Sequence, residues 1–103
     1  MILELVDILI HPGKQAEFDK AIEHGIKEHL ITAKGFVGYQ INKCIESPER
    51  YVLMNYWATL ENHTVDFRGS PAFLLWRGVV GPFFARPPIV EHFTILDTKH
   101  PQN

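Results

Sequence analysis

Two β-rich runs of this chain are apolar on both faces, and this pattern restricts the fold more than any other feature. Successive side chains of a strand point to opposite faces. In the run at residues 2–10, one face therefore carries Ile2, Val6, Ile8 and Ile10, and the opposite face carries Leu3, Leu5 and Leu9. In the run at residues 51–58, one face carries Val52, Met54, Tyr56 and Ala58, and the opposite face carries Tyr51, Leu53 and Trp57. A sheet that contains both strands needs cover on both sides, and one layer of helices supplies it on one side only.

The other elements follow from apolar periodicity and from turn residues. Apolar side chains recur at every fourth position between residues 14 and 34, which predicts an amphipathic helix, and Gly25 within it predicts a close approach of this helix to the sheet. Thr59, with Asn62 three residues on, predicts the start of a short helix, and Ser70 followed by Pro71 predicts the start of another. The predicted order is strand 2–10, helix 14–34, strands 36–45 and 51–58, helices 60–68 and 71–80, strand 89–97 and a polar tail 98–103.

This order predicts an α+β fold of the ferredoxin-like split βαβ type, with a four-stranded antiparallel sheet and helices on one face. Residues 1–103 are of a length typical of a single domain, and no linker interrupts them. The apolar face that the helices leave open is most simply covered by a second copy, packed sheet to sheet. We therefore predict a homodimer through the sheet faces.

Composition argues against several classes of partner. Ten Lys and Arg against twelve Asp and Glu give a net charge of −2 without a basic run, so no nucleic acid is expected. The first apolar run is too short to span a membrane, contains Glu4 and Asp7, and lacks the basic start of a signal peptide. A single cysteine, Cys44, excludes an internal disulfide and favours the cytoplasm. No metal site is predicted, because His24 and His29 lie on different sides of their helix.

Asn55 and Trp57 are the best indication of a functional site. They are two positions apart on a predicted strand and so share one face. An unpaired buried amide costs roughly 1–3 kcal/mol, so Asn55 in an apolar strand requires a polar partner. If both residues face the helices, they line a cleft whose other wall contains Phe67, Phe73, Trp76 and Arg77. Such an aromatic box suits a flat aromatic molecule, and the candidate bases near it are His63 and His92.

Five stretches, taken in order and spacing, resemble the antibiotic biosynthesis monooxygenase family of the dimeric α+β barrel superfamily. They are HPGKQAEFDKAI at 11–22, KGFVGYQI at 34–41, YW at 56–57, SPAF at 70–73 and PPIVEHF at 87–93. The resemblance implies the dimeric α+β barrel. It also implies one of several chemistries, among them cofactor-independent oxygenation of phenols or quinols, heme degradation, and isomerisation of small molecules.

The resemblance to this family also extends to individual residues. Trp57 matches a tryptophan at the end of strand three in many members, and Arg77 matches an arginine of the quinol-forming oxygenases. The heme-degrading members need an Asn and a His where this chain has Val6 and Arg77, which disfavours that branch. Asn55 lies near the family's strand-three asparagine.

The resemblance implies a cofactor-independent monooxygenase that uses dioxygen on a small aromatic or quinol substrate. The candidate catalytic residues are Asn55, Trp57, Arg77, His63 and His92, and the candidate substrate-binding residues are Phe67, Phe73 and Trp76. Two alternatives stay open. One is an isomerase or cyclase that uses the same pocket and base, and the other is a binder of small ligands.

Overall fold

The computed structural model describes residues 1–100 and contains one four-stranded sheet. Its strands are β1 (Ile2–Leu9), β2 (Phe36–Lys43), β3 (Arg50–Trp57) and β4 (Ile89–Thr94). They are antiparallel and lie in the order β2-β3-β1-β4. This arrangement confirms the predicted ferredoxin-like α+β fold. Of the predicted polar tail 98–103, the last three residues lie outside the described part of the chain.

The first helix is shorter than its apolar periodicity predicts. Helix α1 spans Gln15–Gly25 and continues as a π-helical segment over Ile26–Leu30, where the amide of Ile31 donates to the carbonyl of Ile26. The predicted extension to residue 34 is wrong, because the chain leaves the helix after Leu30 in a series of turns that ends at Gly35, which has a φ of +77°. A Cβ atom at this position would lie 2.0 Å from Asn62 Oδ1, so both the backbone angle and the space require glycine.

The second helical region is broken, as the sequence predicts. A π-helical segment spans Asn62–Phe67, helix α2 spans Pro71–Val80, and a short 3₁₀ turn follows over Gly81–Phe83. Thr59 and Asn62 form a reciprocal cap. Asn62 N–H donates to Thr59 Oγ1 at 3.2 Å, and Thr59 N–H donates to Asn62 Oδ1 at 3.1 Å. Ser70 precedes α2 as predicted, but its hydroxyl donates to the carbonyl of Phe67 at 2.6 Å instead of capping the helix.

All four strands end before the runs predicted for them, β1 and β3 by one residue, β2 by two and β4 by three. β4 is predicted to reach residue 97 and ends at Thr94, because Thr94 pairs with Ile2, the first residue of β1. Beyond that pair β4 has no strand to bond. β1 ends at Leu9, and Ile10 forms an isolated bridge to Phe84 instead.

The two faces of the sheet follow the alternation read from the sequence. α1, the two π-helical segments and α2 cover one face, where Tyr51, Leu53, Asn55 and Trp57 of β3 are buried with Val6 and Ile8 of β1. On the other face Leu3, Leu5, Leu9, Val52, Met54 and Tyr56 are only partly buried. Asn55 and Trp57 therefore face the helices. Glu4 is in phase with Val6 and Ile8, which places a carboxyl group on the buried face.

Gly25 marks a close contact, but not with the sheet. A Cβ atom there would lie 3.0 Å from Cε3 and Cζ3 of Trp76, which belongs to α2. The predicted approach of helix to sheet is thus wrong. The glycine instead lets the two helices pack closely above the sheet.

Candidate active site

Three neighbouring strands bring polar side chains into one row on the helix-covered face. Glu4 of β1 pairs in register with Asn55 of β3 on one side and with His92 of β4 on the other. Glu4 Oε1 accepts hydrogen bonds from Trp57 Nε1 at 2.9 Å and from Asn55 Nδ2 at 3.3 Å. The Glu4 side chain is 6% exposed. Glu4 therefore forms the centre of the candidate site.

His63, from the second π-helical segment, joins this row from above the sheet. Its Nε2 lies 3.3 Å from Glu4 Oε2, and its Nδ1 lies 2.8 Å from Nε2 of His92. His63 is buried, whereas His92 is partly exposed. The three side chains form a continuous row, in which His63 contacts the Glu4 carboxyl group and is hydrogen-bonded to His92 on the edge strand β4.

Burial favours the neutral forms of these groups. It raises the pKa of Glu4, although hydrogen bonds from Trp57 and Asn55 and the positive charge of Arg68 act in the opposite direction. Burial, with smaller contributions from Arg68 and His92, lowers the pKa of His63 to about 4. Burial and Arg68 also lower the pKa of His92. His63 is therefore neutral at pH 7, and His92 is shifted towards its neutral form.

A cavity of about 260 Å³ lies between the sheet and the helices. An apolar cavity of about 150 Å³ accommodates benzene, so this volume suits a molecule of one or two rings. Most of its wall is apolar. Its lining residues are Glu4, Val6, Ile8, Leu30, Asn55, His63, Phe67, Arg68, Phe73, Trp76, Arg77, Phe84, Pro87, Pro88 and Val90.

Six of the eight site residues predicted from sequence line this cavity. They are Asn55, His63, Phe67, Phe73, Trp76 and Arg77. Trp57 and His92 lie behind the lining and contact it through Glu4 and His63, respectively. The predicted juxtaposition of the two strand residues with the broken second helix is therefore present.

Asn55 leaves one atom unsatisfied. The residue is 2% exposed, and its amide nitrogen is directed at the Glu4 carboxylate. Its Oδ1 has no hydrogen-bond partner among residues 1–100. A buried acceptor without a partner is costly, and the residue that carries it lines the cavity.

The family model for antibiotic biosynthesis monooxygenases matches residues 1–78. The chain belongs to this family. Among curated proteins, YczJ of Bacillus subtilis (strain 168), an uncharacterised protein, is 34% identical over 94 residues, which are 90% of this chain and 97% of YczJ.

Solved structures agree with the family assignment. A Bordetella bronchiseptica protein, provisionally assigned as an antibiotic biosynthesis monooxygenase, is 39% identical, with a TM-score of 0.87 over 92% of this chain and 96% of that one. SnoaB, a cofactor-independent oxygenase from Streptomyces nogalater, is 18% identical, with a TM-score of 0.80 over 94% of each chain. At this identity the likeness to SnoaB shows a shared fold.

Two residues of the site, Glu4 and Arg68, are not predicted from the sequence. Glu4 is predicted only as a polar break in an apolar run, although its alternation with Val6 and Ile8 is the signal that could have placed it inside. Arg68 lines the cavity as an exposed residue at the end of the second π-helical segment, and no sequence pattern distinguishes it. Arg77 lies with its guanidinium 5.8 Å from the centre of the Phe73 ring.

Residues 1–100 contain neither a cluster of metal ligands nor a helix that could span a membrane. In that range there is no group of three or more His, Cys, Asp or Glu side chains arranged to hold a metal ion. None of the helices within residues 1–100 has the length and apolar character needed to cross a membrane.

Proposed function

We propose that this protein is a cofactor-independent monooxygenase that acts on a small hydroxylated aromatic molecule, a phenol or a hydroquinone. The observation that carries the proposal is the unpaired Oδ1 of Asn55, a residue that lines a largely apolar cavity. A substrate hydroxyl would donate to Oδ1 and satisfy the buried acceptor, and the rings of Phe67, Phe73 and Trp76 would pack against the substrate ring.

Glu4 is the proposed proton acceptor. It lines the cavity beside Asn55, and burial raises its pKa towards the range in which a carboxylate accepts a phenolic proton more readily. His63 is less suited to direct proton acceptance because both of its ring nitrogens already face partners. His92 is less suited because it lies behind His63.

Removing this proton makes the substrate its own reductant. A phenolate or hydroquinone anion transfers electrons to dioxygen more readily than the neutral molecule does. One oxygen atom joins the ring, the other leaves as water, and both electron pairs come from the substrate. Arg77, at the cavity wall, would stabilise the negative charge that develops on the substrate oxygen. The shared fold of SnoaB, itself a cofactor-independent oxygenase, supports this assignment.

The proposed active form is a homodimer. The outer face of the sheet carries partly buried apolar side chains on its two central strands, and the ion pair of Asp7 with Arg50 interrupts them near one end. On the edge strand β4, Ile89 and Phe93 are 50% and 43% exposed. A second copy packed on this face would remove them from water and would leave the cavity, which lies on the opposite face, within each subunit.

The direct test is oxygenation of 1,4-dihydroxynaphthalene under ¹⁸O₂. This substrate would consume one O₂ and give 2-hydroxy-1,4-naphthoquinone and water. We expect one labelled oxygen per product, with a rate proportional to protein after subtraction of the protein-free reaction. The dimethyl ether of 1,4-dihydroxynaphthalene, which lacks hydroxyl donors, should bind poorly and should not react.

Asn55→Leu tests the observation on which the proposal depends. Losing an acceptor for a substrate hydroxyl should lower kcat/KM by roughly 10-fold to 100-fold. Gln15→Leu, at a partly exposed position of α1 outside the cavity lining, is the control and should react at the wild-type rate. Unlabelled product, or turnover without oxygen, would overturn the oxygenase proposal in favour of an isomerase or cyclase. Binding without turnover would favour a ligand-binding protein.

A further inference from the structure

We infer that Glu4 exchanges its proton with solvent through His63 and His92, which form a two-histidine relay from the cavity to the edge of the sheet. This inference deepens the proposed function, since it concerns the carboxylate that would accept the substrate proton. It assigns to His92 a positioning role that acts through His63. The relay gives Glu4 a route to solvent that stays open when a bound molecule fills the cavity.

The geometry gives the relay its continuity. Glu4 Oε2 lies 3.3 Å from His63 Nε2, and His63 Nδ1 lies 2.8 Å from His92 Nε2. Each histidine thus connects its two neighbours through its two different ring nitrogens. His92 is partly exposed and lies on β4, which is an edge strand, so its Nδ1 is the atom through which a proton enters or leaves.

Two hydrogen-bond arrangements of the relay correspond to the two states of Glu4. When Glu4 is ionised, His63 Nε2–H donates to the carboxylate, and His92 Nε2–H donates to His63 Nδ1. When Glu4 is protonated, its hydroxyl donates to His63 Nε2, His63 Nδ1–H donates to His92 Nε2, and His92 carries its proton on Nδ1. Passing from the second arrangement to the first releases one proton at His92 Nδ1. Both imidazoles are neutral before and after.

Burial favours a proton on Glu4 over one on His63, because it raises the pKa of the carboxyl group and lowers the pKa of the imidazole. Two cations line the same cavity, Arg68 at the end of the second π-helical segment and Arg77 on α2. β3 contributes the uncharged donors Asn55 and Trp57. Arg68 and burial both oppose an imidazolium at His63, in agreement with its lowered pKa. The carboxyl group is therefore the place where an added proton rests.

The test is to follow the histidine tautomers by NMR in ¹⁵N-labelled full-length protein without substrate. Two-bond ¹H–¹⁵N correlations distinguish Nδ1–H, Nε2–H and doubly protonated rings. Between roughly pH 5 and pH 9 we expect His63 and His92 to change together from Nδ1–H to Nε2–H as the pH rises. The ¹³C signal of the Glu4 carboxyl should change at the same midpoint.

Variants separate this relay from independent titrations. In Glu4→Gln the amide cannot lose a proton, so both histidines should keep one tautomer throughout this range. In His92→Phe the tautomer of His63 should no longer be set by a second ring, and the Glu4 midpoint should move. His24→Asn, on α1, should leave both midpoints unchanged.

Three results would overturn the relay. They are a doubly protonated His63 at the Glu4 midpoint, different midpoints for the two histidines, and a tautomer change that persists in Glu4→Gln. Because no substrate is present, these results do not depend on whether the protein oxygenates aromatic compounds.

Discussion

Trp57 is both a packing residue and a hydrogen-bond donor, and the two roles can be separated. Its indole lies against the rings of Phe36, His63 and Phe67, while its Nε1–H donates to Glu4. Sequence reasoning identifies the residue, but the atom it bonds belongs to a strand more than fifty residues away.

Trp57→Phe should raise the pKa of Glu4 further. Phenylalanine retains an aromatic ring but loses the donor that stabilises the carboxylate, and a hydrogen bond to a charged group contributes about 1.5–3 kcal/mol, or about one to two pKa units. A ¹³C titration of the Glu4 carboxyl measures the change. Trp76→Phe, which alters packing without touching Glu4, is the control, and an equal shift in both variants would contradict the hydrogen-bond explanation.

His63 should make the protein less stable in acid. Its pKa is lowered to about 4 in the folded state, whereas the unfolded chain takes up a proton near pH 6.5. Between these values the unfolded state binds more protons, so His63 reduces the free energy of unfolding by about 1.4 kcal/mol for each unit that the pH falls.

Urea unfolding of wild type and His63→Gln at pH 7 and pH 5 tests this expectation, and the variant should lose less stability between the two pH values. Glu4 acts in the opposite direction, because a raised carboxyl pKa stabilises the folded state as the pH falls. His63→Gln is therefore best measured in the Glu4→Gln background as well. Equal losses with and without His63 in that background would contradict the assigned pKa shift.

At the scale of elements, the sequence predicts where the helical segments begin better than it predicts the hydrogen-bonding pattern inside them. Local signals locate the breaks: Thr59 and Asn62 cap the second helical region, and Pro71 begins α2. The π-helical register of the two segments is not predicted, because a change from four to five residues per hydrogen bond leaves no distinct local signature. Glu4 is not predicted as a site residue because its side-chain partners come from two elements distant in sequence, β3 and the second π-helical segment.

The close packing of α1 on α2 yields a paired prediction. Gly25→Ala should destabilise the protein by roughly 1–3 kcal/mol, since the new Cβ atom would meet the Trp76 ring at 3.0 Å and force it to move. Gly78→Ala, on α2, adds a methyl group that meets no other element of residues 1–100 within 4 Å, and it should stabilise the protein by about 1 kcal/mol through helix propensity. Thermal unfolding measures both, and equal effects would contradict the contact.

At the scale of the whole molecule, the apolar outer face predicts association. Wild-type protein should sediment at about twice 11.9 kDa at micromolar concentration. Leu5→Glu, which puts a charge in the centre of that face, should sediment as a monomer. Leu74→Glu, at a position 71% exposed on α2, should leave the mass unchanged. A wild-type monomer would contradict the proposed assembly.

The polar row of Glu4, Asn55 and His92 is less stable at one end than at the other, because β4 is an edge strand. Glu4 and Asn55 belong to the two inner strands, whereas His92 belongs to a six-residue strand that bonds to β1 alone. Edge strands undergo local opening more often than inner strands do. Each fraying event of β4 would carry one imidazole away while the carboxyl group and the amide stay in place, so amide hydrogen exchange in β4 should report how often the path to solvent is interrupted.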